Sequence, residues 1–282
     1  MFLQRFRLPI LFYVMAFGLA ILVRLAVPMI GEASLPITML TPAIAAAIML
    51  AFVAPEGSFR QTINGLGLTA PGFKGWPLAI GGPALVHAIG LLLLATLGLT
   101  ALVVPQGAGS IALWIPDIIA SFAIGTLFAL CEEVGWRGYL LPHFKELGAL
   151  SAMLIVGFLH GLWHLPILLT TDLYHASGNA WLVTPLFLIT LTSAGVFYGF
   201  LRNWTGSIWP VAIAHGAANQ AWSISSQASQ TQSPIVLEYV GGESGIIMIA
   251  GLLIINLILI KIMGNKKTRS MAPGFHIPGD AP

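Results

Sequence analysis

The sequence predicts an all-α, polytopic membrane protein of about eight transmembrane helices, with a polar site in the bundle interior. Three observations carry that prediction. Of the 282 residues, 57% are hydrophobic and only 8% charged, and mean hydropathy is +0.90, whereas a soluble domain carries about 25% charged residues. Such a chain lacks the polar material to coat a water-facing surface, and the same composition excludes intrinsic disorder. The apolar residues come in runs of about 20, the length that crosses a bilayer core. Basic residues recur between alternate runs, which is the signature of cytoplasmic segments. The net charge of +2 is accounted for by that topology and implies no nucleic-acid partner. The single cysteine, Cys131, excludes an intrachain disulfide framework.

Eight apolar stretches follow in order: Leu8–Ile30, Leu35–Ala54, Trp76–Val104, Ile111–Leu141, Leu150–Thr170, Trp181–Leu201, Ser207–Ser226 and Gly245–Met263. The first follows Arg5 and Arg7 as a signal peptide would, but it is longer than an ordinary signal core and ends without a small-residue cleavage site, so it reads as an uncleaved span. The fourth is too long for one straight span and is expected to bend or re-enter. The seventh is rich in Gly, Ala, Ser, His and Asn, a composition suited to a helix buried among helices. Residues 1–263 thus form one transmembrane domain, with the motif-bearing core at about 128–220. Residues 264–282 form a basic, disordered cytoplasmic tail that attracts anionic lipid. The segment Glu56–Gly75 reads as a mobile cytoplasmic loop.

With the N-terminus inside, the inner segments hold Arg5, Arg7, Arg60, Lys74, Arg137, Lys145, Arg202, Lys261, Lys266, Lys267 and Arg269. The outer segments carry Glu32, Asp172, Glu238 and Glu243. Arg24 is the exception, placed near the outer end of the first span, where it can snorkel to the interface. Both termini are therefore expected in the cytoplasm, and the localisation is an integral membrane protein of a prokaryotic plasma membrane.

Ionisable groups inside spans are costly and usually functional. Here they fall in three clusters. In Cys131-Glu132-Glu133-Val134-Gly135-Trp136-Arg137, Glu133 and Arg137 are four apart and can pair on one helix face, while Glu132 points elsewhere. One carboxylate is thus structural and one is free to act as a base; the alternative is a charge cluster at the interface. In His160-Gly161-Leu162-Trp163-His164, the two histidines share a face one turn apart, which suits metal ligation, or one catalytic and one packing imidazole. Pro166 should break the helix just past His164. In His215-Gly216-Ala217-Ala218-Asn219, a histidine and an asparagine share a face, as oxyanion donors or as interhelical hydrogen-bonding glue. His87 reads as a packed histidine and Asp117 as interfacial. No His-Glu-x-x-His motif occurs, because Gly161 stands where its Glu would be.

Taken together, Glu-Glu-x-x-x-Arg, a span carrying x-x-x-His and then His-x-x-x-Asn resemble the CAAX-protease and bacteriocin-processing (CPBP, or Abi) family of intramembrane proteases, whose founding members are type II CAAX prenyl endopeptidases. The matching residues are Glu132, Glu133, Arg137, His164, His215 and Asn219. The family's second motif is commonly Phe-x-x-x-His. His160 stands in the Phe position, either as a packing aromatic or as an extra imidazole. The resemblance implies peptide-bond hydrolysis in the membrane, acting on a membrane-associated or prenylated CAAX-type protein or peptide, from a water-filled cavity opening to the cytoplasm. It implies Glu132 as general base assisted by His164, His215 and Asn219 as the oxyanion site, and Glu133, Arg137 and His160 as supporting residues. No cofactor is required on this reading, although Glu132, His164 and His215 could form a three-ligand zinc site. Membrane lipid and a peptide or lipidated-protein substrate are the implied partners. The competing readings are a non-catalytic scaffold or bacteriocin-immunity protein of the same fold, and a transporter, for which the expected inverted repeats are not visible.

Overall fold

The computed structural model describes residues 6–53, 58–103, 111–172, 175, 177–231 and 233–265. Arg5 and residues 266–282, which hold most of the expected basic tail, lie outside them. The described chain is almost entirely helical. The helices are α1 (Arg7–Ile30), α2 (Ser34–Ile48), α3 (Phe59–Leu66), α4 (Trp76–Thr96), α5 (Ile111–Glu133), α6 (Ala149–Trp163), α7 (Leu165–Thr170), α8 (Ala180–Thr205), α9 (Trp209–Gln227) and α10 (Ile246–Asn265). Strands β1 (Ala101–Leu102) and β2 (Ser229–Gln230) pair antiparallel, with Ala101 opposite Gln230.

Among the described residues, six helical runs are long and apolar enough to cross a membrane, where the sequence suggested about eight spans. The all-α polytopic class holds; the count differs for two reasons. α1 and α2 merge into one run, Arg7–Val53, through a short turn at Gly31–Ala33 whose first residue has φ 54. α9 is helical but too polar to qualify, which agrees with its expected burial among other helices. The outward faces of the long helices are bare of partners and apolar: Leu25 is 67% exposed, Ile119 62% and Leu257 61%. Only lipid can cover such faces without cost, and the protein is an integral membrane protein.

Tertiary contacts assign each element end to one of two faces of the bundle. At one end Arg24 donates to Thr170, through its hydroxyl and its carbonyl. The β1–β2 pair ties the ends of α4 and α9 to that face, and His175 and Asn179 reach Glu238 and Tyr239 there. Arg24 therefore finds a protein partner where interfacial snorkelling was expected. At the other end, the segment expected to be a mobile loop is docked. Ser58 and Gln61 close a capping box on α3. Arg202 donates to the Gly65 carbonyl at 2.8 Å, the Ile208 amide to Gly67 at 3.0 Å, and the Trp209 indole to Leu68 at 3.0 Å. Scattered apolar residues that looked like loop composition, Leu66 above all, are packing points.

The tightest helix pair is α6 against α8, built on Gly157 facing Gly195, with Gly161 against Leu188 and Gly199 against Met153. A Cβ on Gly195 would stand 2.5 Å from the Gly157 Cα, and one on Gly157 would stand 2.8 Å from the Thr192 carbonyl. Small residues four apart on both helices let the backbones approach this closely, and in lipid such packing replaces the hydrophobic effect as the cohesive force.

Candidate active site

The first cluster lies where α5 gives way to a π-helical segment, Val134–Leu140. The expected bend in the long fourth stretch takes this form: a local widening of the helix, of the kind often found at functional sites. Gly135 allows it to press against α2, since a Cβ there would meet Pro42 Cβ at 2.5 Å. Glu132, Glu133 and Arg137 are all essentially buried. Arg137 holds Glu133 through Nη1, at 3.0 Å to Oε1 and 2.9 Å to Oε2. The same nitrogen lies 3.2 Å from His160 Nδ1, and the guanidinium sits over the Tyr198 ring at 5.0 Å. The i,i+4 pair expected from spacing is present, with two further partners supplied by α6 and α8.

The second cluster meets the first through His160. A guanidinium can only donate, so Nδ1 accepts from Arg137 and the ring proton is on Nε2, which donates to Glu132 Oε2 at 2.7 Å. His160 is wholly buried and stacks on Trp136 at 5.2 Å and 29°. Both roles weighed for it, packing aromatic and extra imidazole, are therefore filled at once. The helix breaks at His164, which separates α6 from α7 one residue before Leu165 and Pro166. His164 Nδ1 donates to the His160 carbonyl at 3.1 Å, which makes Nε2 an acceptor.

The third cluster comes from α9. His215 Nδ1 donates to Glu133 Oε1 at 2.9 Å, and its ring stacks on Tyr198 at 5.6 Å and 19°. With Nδ1 engaged, Nε2 is left to accept a proton or, when protonated, to donate one. Asn219 follows one turn later. Glu132, His164, His215 and Asn219 line one cavity of about 260 Å³, together with Leu35, Thr38, Trp163, Trp222 and Glu243. A smaller cavity of about 60 Å³ adjoins it and shares His215, Asn219 and Glu243; His87 and Tyr198 also line it.

Ligand-capable atoms of Glu132, His160 and His164 lie within 4.8 Å of one another, a carboxylate and two imidazoles of the kind that hold zinc. This grouping contains His160 where the sequence suggested His215. The hydrogen bonds disfavour it as a three-ligand set: with Nδ1 accepting from Arg137, His160 Nε2 carries the proton and has no lone pair for a cation. These residues do not fit a metal as they stand.

Sequence reasoning undervalued four residues. Trp136 and His160 sat inside or beside a motif and were legible as neighbours. Tyr198 and Glu243 had no local signal: one lies in an apolar run and the other in a Gly-rich connection.

Residues 114–221 match the family described as type II CAAX prenyl endopeptidase Rce1-like, and this span contains all three clusters. The resemblance to type II CAAX endopeptidases read from those clusters is borne out. No curated protein matches the chain significantly.

Proposed function

Starting from the Rce1-like character of residues 114–221, we propose that this integral membrane protein is an endopeptidase that hydrolyses a peptide bond within the bundle, using water activated by Glu132. The observation that supports this reading best is the placement of Glu132. It is a buried carboxylate on the wall of a largely apolar cavity, held at one oxygen by the His160 N–H and accompanied by His164, His215 and Asn219.

In the mechanism we infer, a water in the cavity gives a proton to Glu132 while its hydroxyl adds to the scissile carbonyl carbon. His164 Nε2, able to accept, orients that water. The carbonyl oxygen becomes an oxyanion, stabilised by the Asn219 side-chain amide and by the Nε2–H of protonated His215. Glu132 then passes its proton to the amide nitrogen, the C–N bond breaks, and the new carboxylic acid gives its remaining proton to the departing amine, so that a carboxylate and an ammonium group leave. Glu133, Arg137 and His160 are positioning residues. Arg137 sets the tautomer of His160, His160 fixes Glu132, and Glu133 fixes His215. No step is routed through a metal. Hydrolysis of a prenylated CAAX-type protein belongs to the same proposal as one substrate class among membrane-associated polypeptides.

Purified protein and its Glu132→Gln and His164→Ala variants, incubated with membrane-anchored fluorogenic peptides, test the reading. We expect the first substitution to lower kcat by at least about a thousandfold, since it removes the only proton acceptor assigned to the water. Full-rate cleavage by either variant would overturn the mechanism. A Glu132→Ala chain that still complements a deletion in cells would favour the scaffold reading.

A further inference from the structure

We propose that Tyr198 is a positioning residue for the hydrolysis: its ring sets the plane of the His215 imidazole and so aims Nε2 at the oxyanion. This rests on the endopeptidase reading above. Two features of the site point to it, one geometric and one electrostatic.

The hydrogen bond from His215 Nδ1 to Glu133 Oε1, at 2.9 Å, anchors one corner of the imidazole and leaves its tilt loosely set. The tilt is fixed by what lies against the ring. Tyr198 stacks on it with centroids 5.6 Å apart and 19° between the planes, an offset stack of ordinary spacing. His160 meets it only edge-on, at 5.8 Å and 61°, and is itself committed to Arg137 and Glu132. Tyr198 is a firm surface for this purpose. It is 5% exposed and stands between Gly195 and Gly199, where α8 presses on Gly157 and Met153 of α6. Asn219 lies on the same cavity wall as His215, so the tilt of the imidazole governs whether Nε2 and the Asn219 amide converge on one oxygen.

The electrostatic feature is the face of the ring, which carries negative potential and attracts cations. The Arg137 guanidinium already lies over it, 5.0 Å from the centroid. When His215 carries the proton it donates to the oxyanion, a second cation lies against the same ring. Glu133 is shared by the same two side chains, taking Arg137 through Nη1 and His215 through Nδ1. Arg137 and protonated His215 repel each other, and the carboxylate and the aromatic face together offset that repulsion. Tyr198 also lines the smaller cavity beside Asn219 and Glu243. The competing role for it is therefore direct contact with substrate, which would show in KM and not in kcat.

A substitution series at this position, in purified full-length protein with membrane-anchored fluorogenic peptides, tests the role. Tyr198→Phe keeps the ring and should hold kcat within about twofold. Tyr198→Leu removes it and should lower kcat about tenfold while KM stays within about twofold, the pattern of a positioning residue. Tyr198→pentafluorophenylalanine keeps the shape of the ring but reverses the polarity of its face. Its kcat should fall about fivefold below that of Tyr198→Phe, a change that a merely structural residue would not give. That comparison stands even where leucine prevents folding. In a His215→Gln background the same losses should shrink to within about twofold, because Tyr198 acts through His215. Equal kcat across the series, a loss carried in KM, or undiminished losses in the His215→Gln background would each overturn the proposal. Glu132→Gln is assayed alongside. An active Glu132→Gln chain removes the endopeptidase reading, whereas an inactive one with a flat Tyr198 series removes the positioning role alone.

Discussion

Arg137 is where the fold and the candidate chemistry are most tightly joined, and removing it tests both. The side chain is 1% exposed and its partner Glu133 0%. Breaking a buried ion pair by deleting one partner costs about 3–5 kcal/mol, because the surviving charge stays buried. Arg137→Met should reach the upper part of that range, since it also removes the donor to His160 and the cation over Tyr198. Glu133→Gln alone should fall in the same range. In the double variant neither charge remains, and the introduced glutamine amide can still accept from His215. Its loss should therefore fall at least about 3 kcal/mol short of the two single losses added together. Reversible unfolding by SDS in mixed micelles, followed by tryptophan fluorescence, gives the three values. Additivity within about 0.5 kcal/mol would refute the reasoning that these groups form one unit. Arg137→Lys separates stability from chemistry. A lysine can pair with Glu133 at i,i+4, but its stem is one atom shorter and its ammonium stops short of His160 Nδ1, and it lacks the planar guanidinium that lies over Tyr198. We expect it to retain most of the stability while kcat falls by about a hundredfold, the size expected for a misplaced base.

Other outcomes follow from the same geometry. Gly195→Ala places a methyl against the Gly157 backbone and should destabilise the bundle by about 1–3 kcal/mol in the same SDS titration, whereas Gly18→Ala, with open space around its Cβ, should be neutral or stabilising. Trp136→Leu removes the surface on which His160 stacks; kcat should drop by roughly tenfold with KM little changed, as for a positioning residue. Activity should survive chelators, because Arg137 occupies the nitrogen that His160 would have to free; loss with chelator and recovery with zinc would refute the assigned tautomer.

Much of the site was legible in the sequence because its residues are paired on single helices. Glu133 and Arg137, His160 and His164, and His215 and Asn219 are each four apart, and that spacing alone puts each pair on one face. The break at His164 was legible too, from Pro166. Contacts between helices were not. Nothing local in the sequence shows that His160 reaches Glu132 across 28 positions, that His215 anchors on Glu133 across 82, or that Tyr198 stacks on His215. Residues 58–75 were misread for a related reason: Gly and Pro mark turns equally well in mobile and in docked segments, and only partners such as Arg202 and Trp209 distinguish the two.

The sequence by itself determined that the chain lives in a membrane, which stretches are helical and which polar residues are too costly there to be incidental. These are matters of composition and of short-range periodicity, and each is settled within about a helical turn or the thickness of the bilayer. The tertiary structure decided the rest. It turned three ambiguous clusters into one neighbourhood, made His160 the link between Arg137 and Glu132, and gathered Glu132, His164, His215 and Asn219 on the wall of one cavity. Those outcomes depend on how closely α6 and α8 approach through their glycines and on how the π-helical segment turns its side chains inward. Both are set by contacts between residues far apart in the chain, which no local pattern encodes.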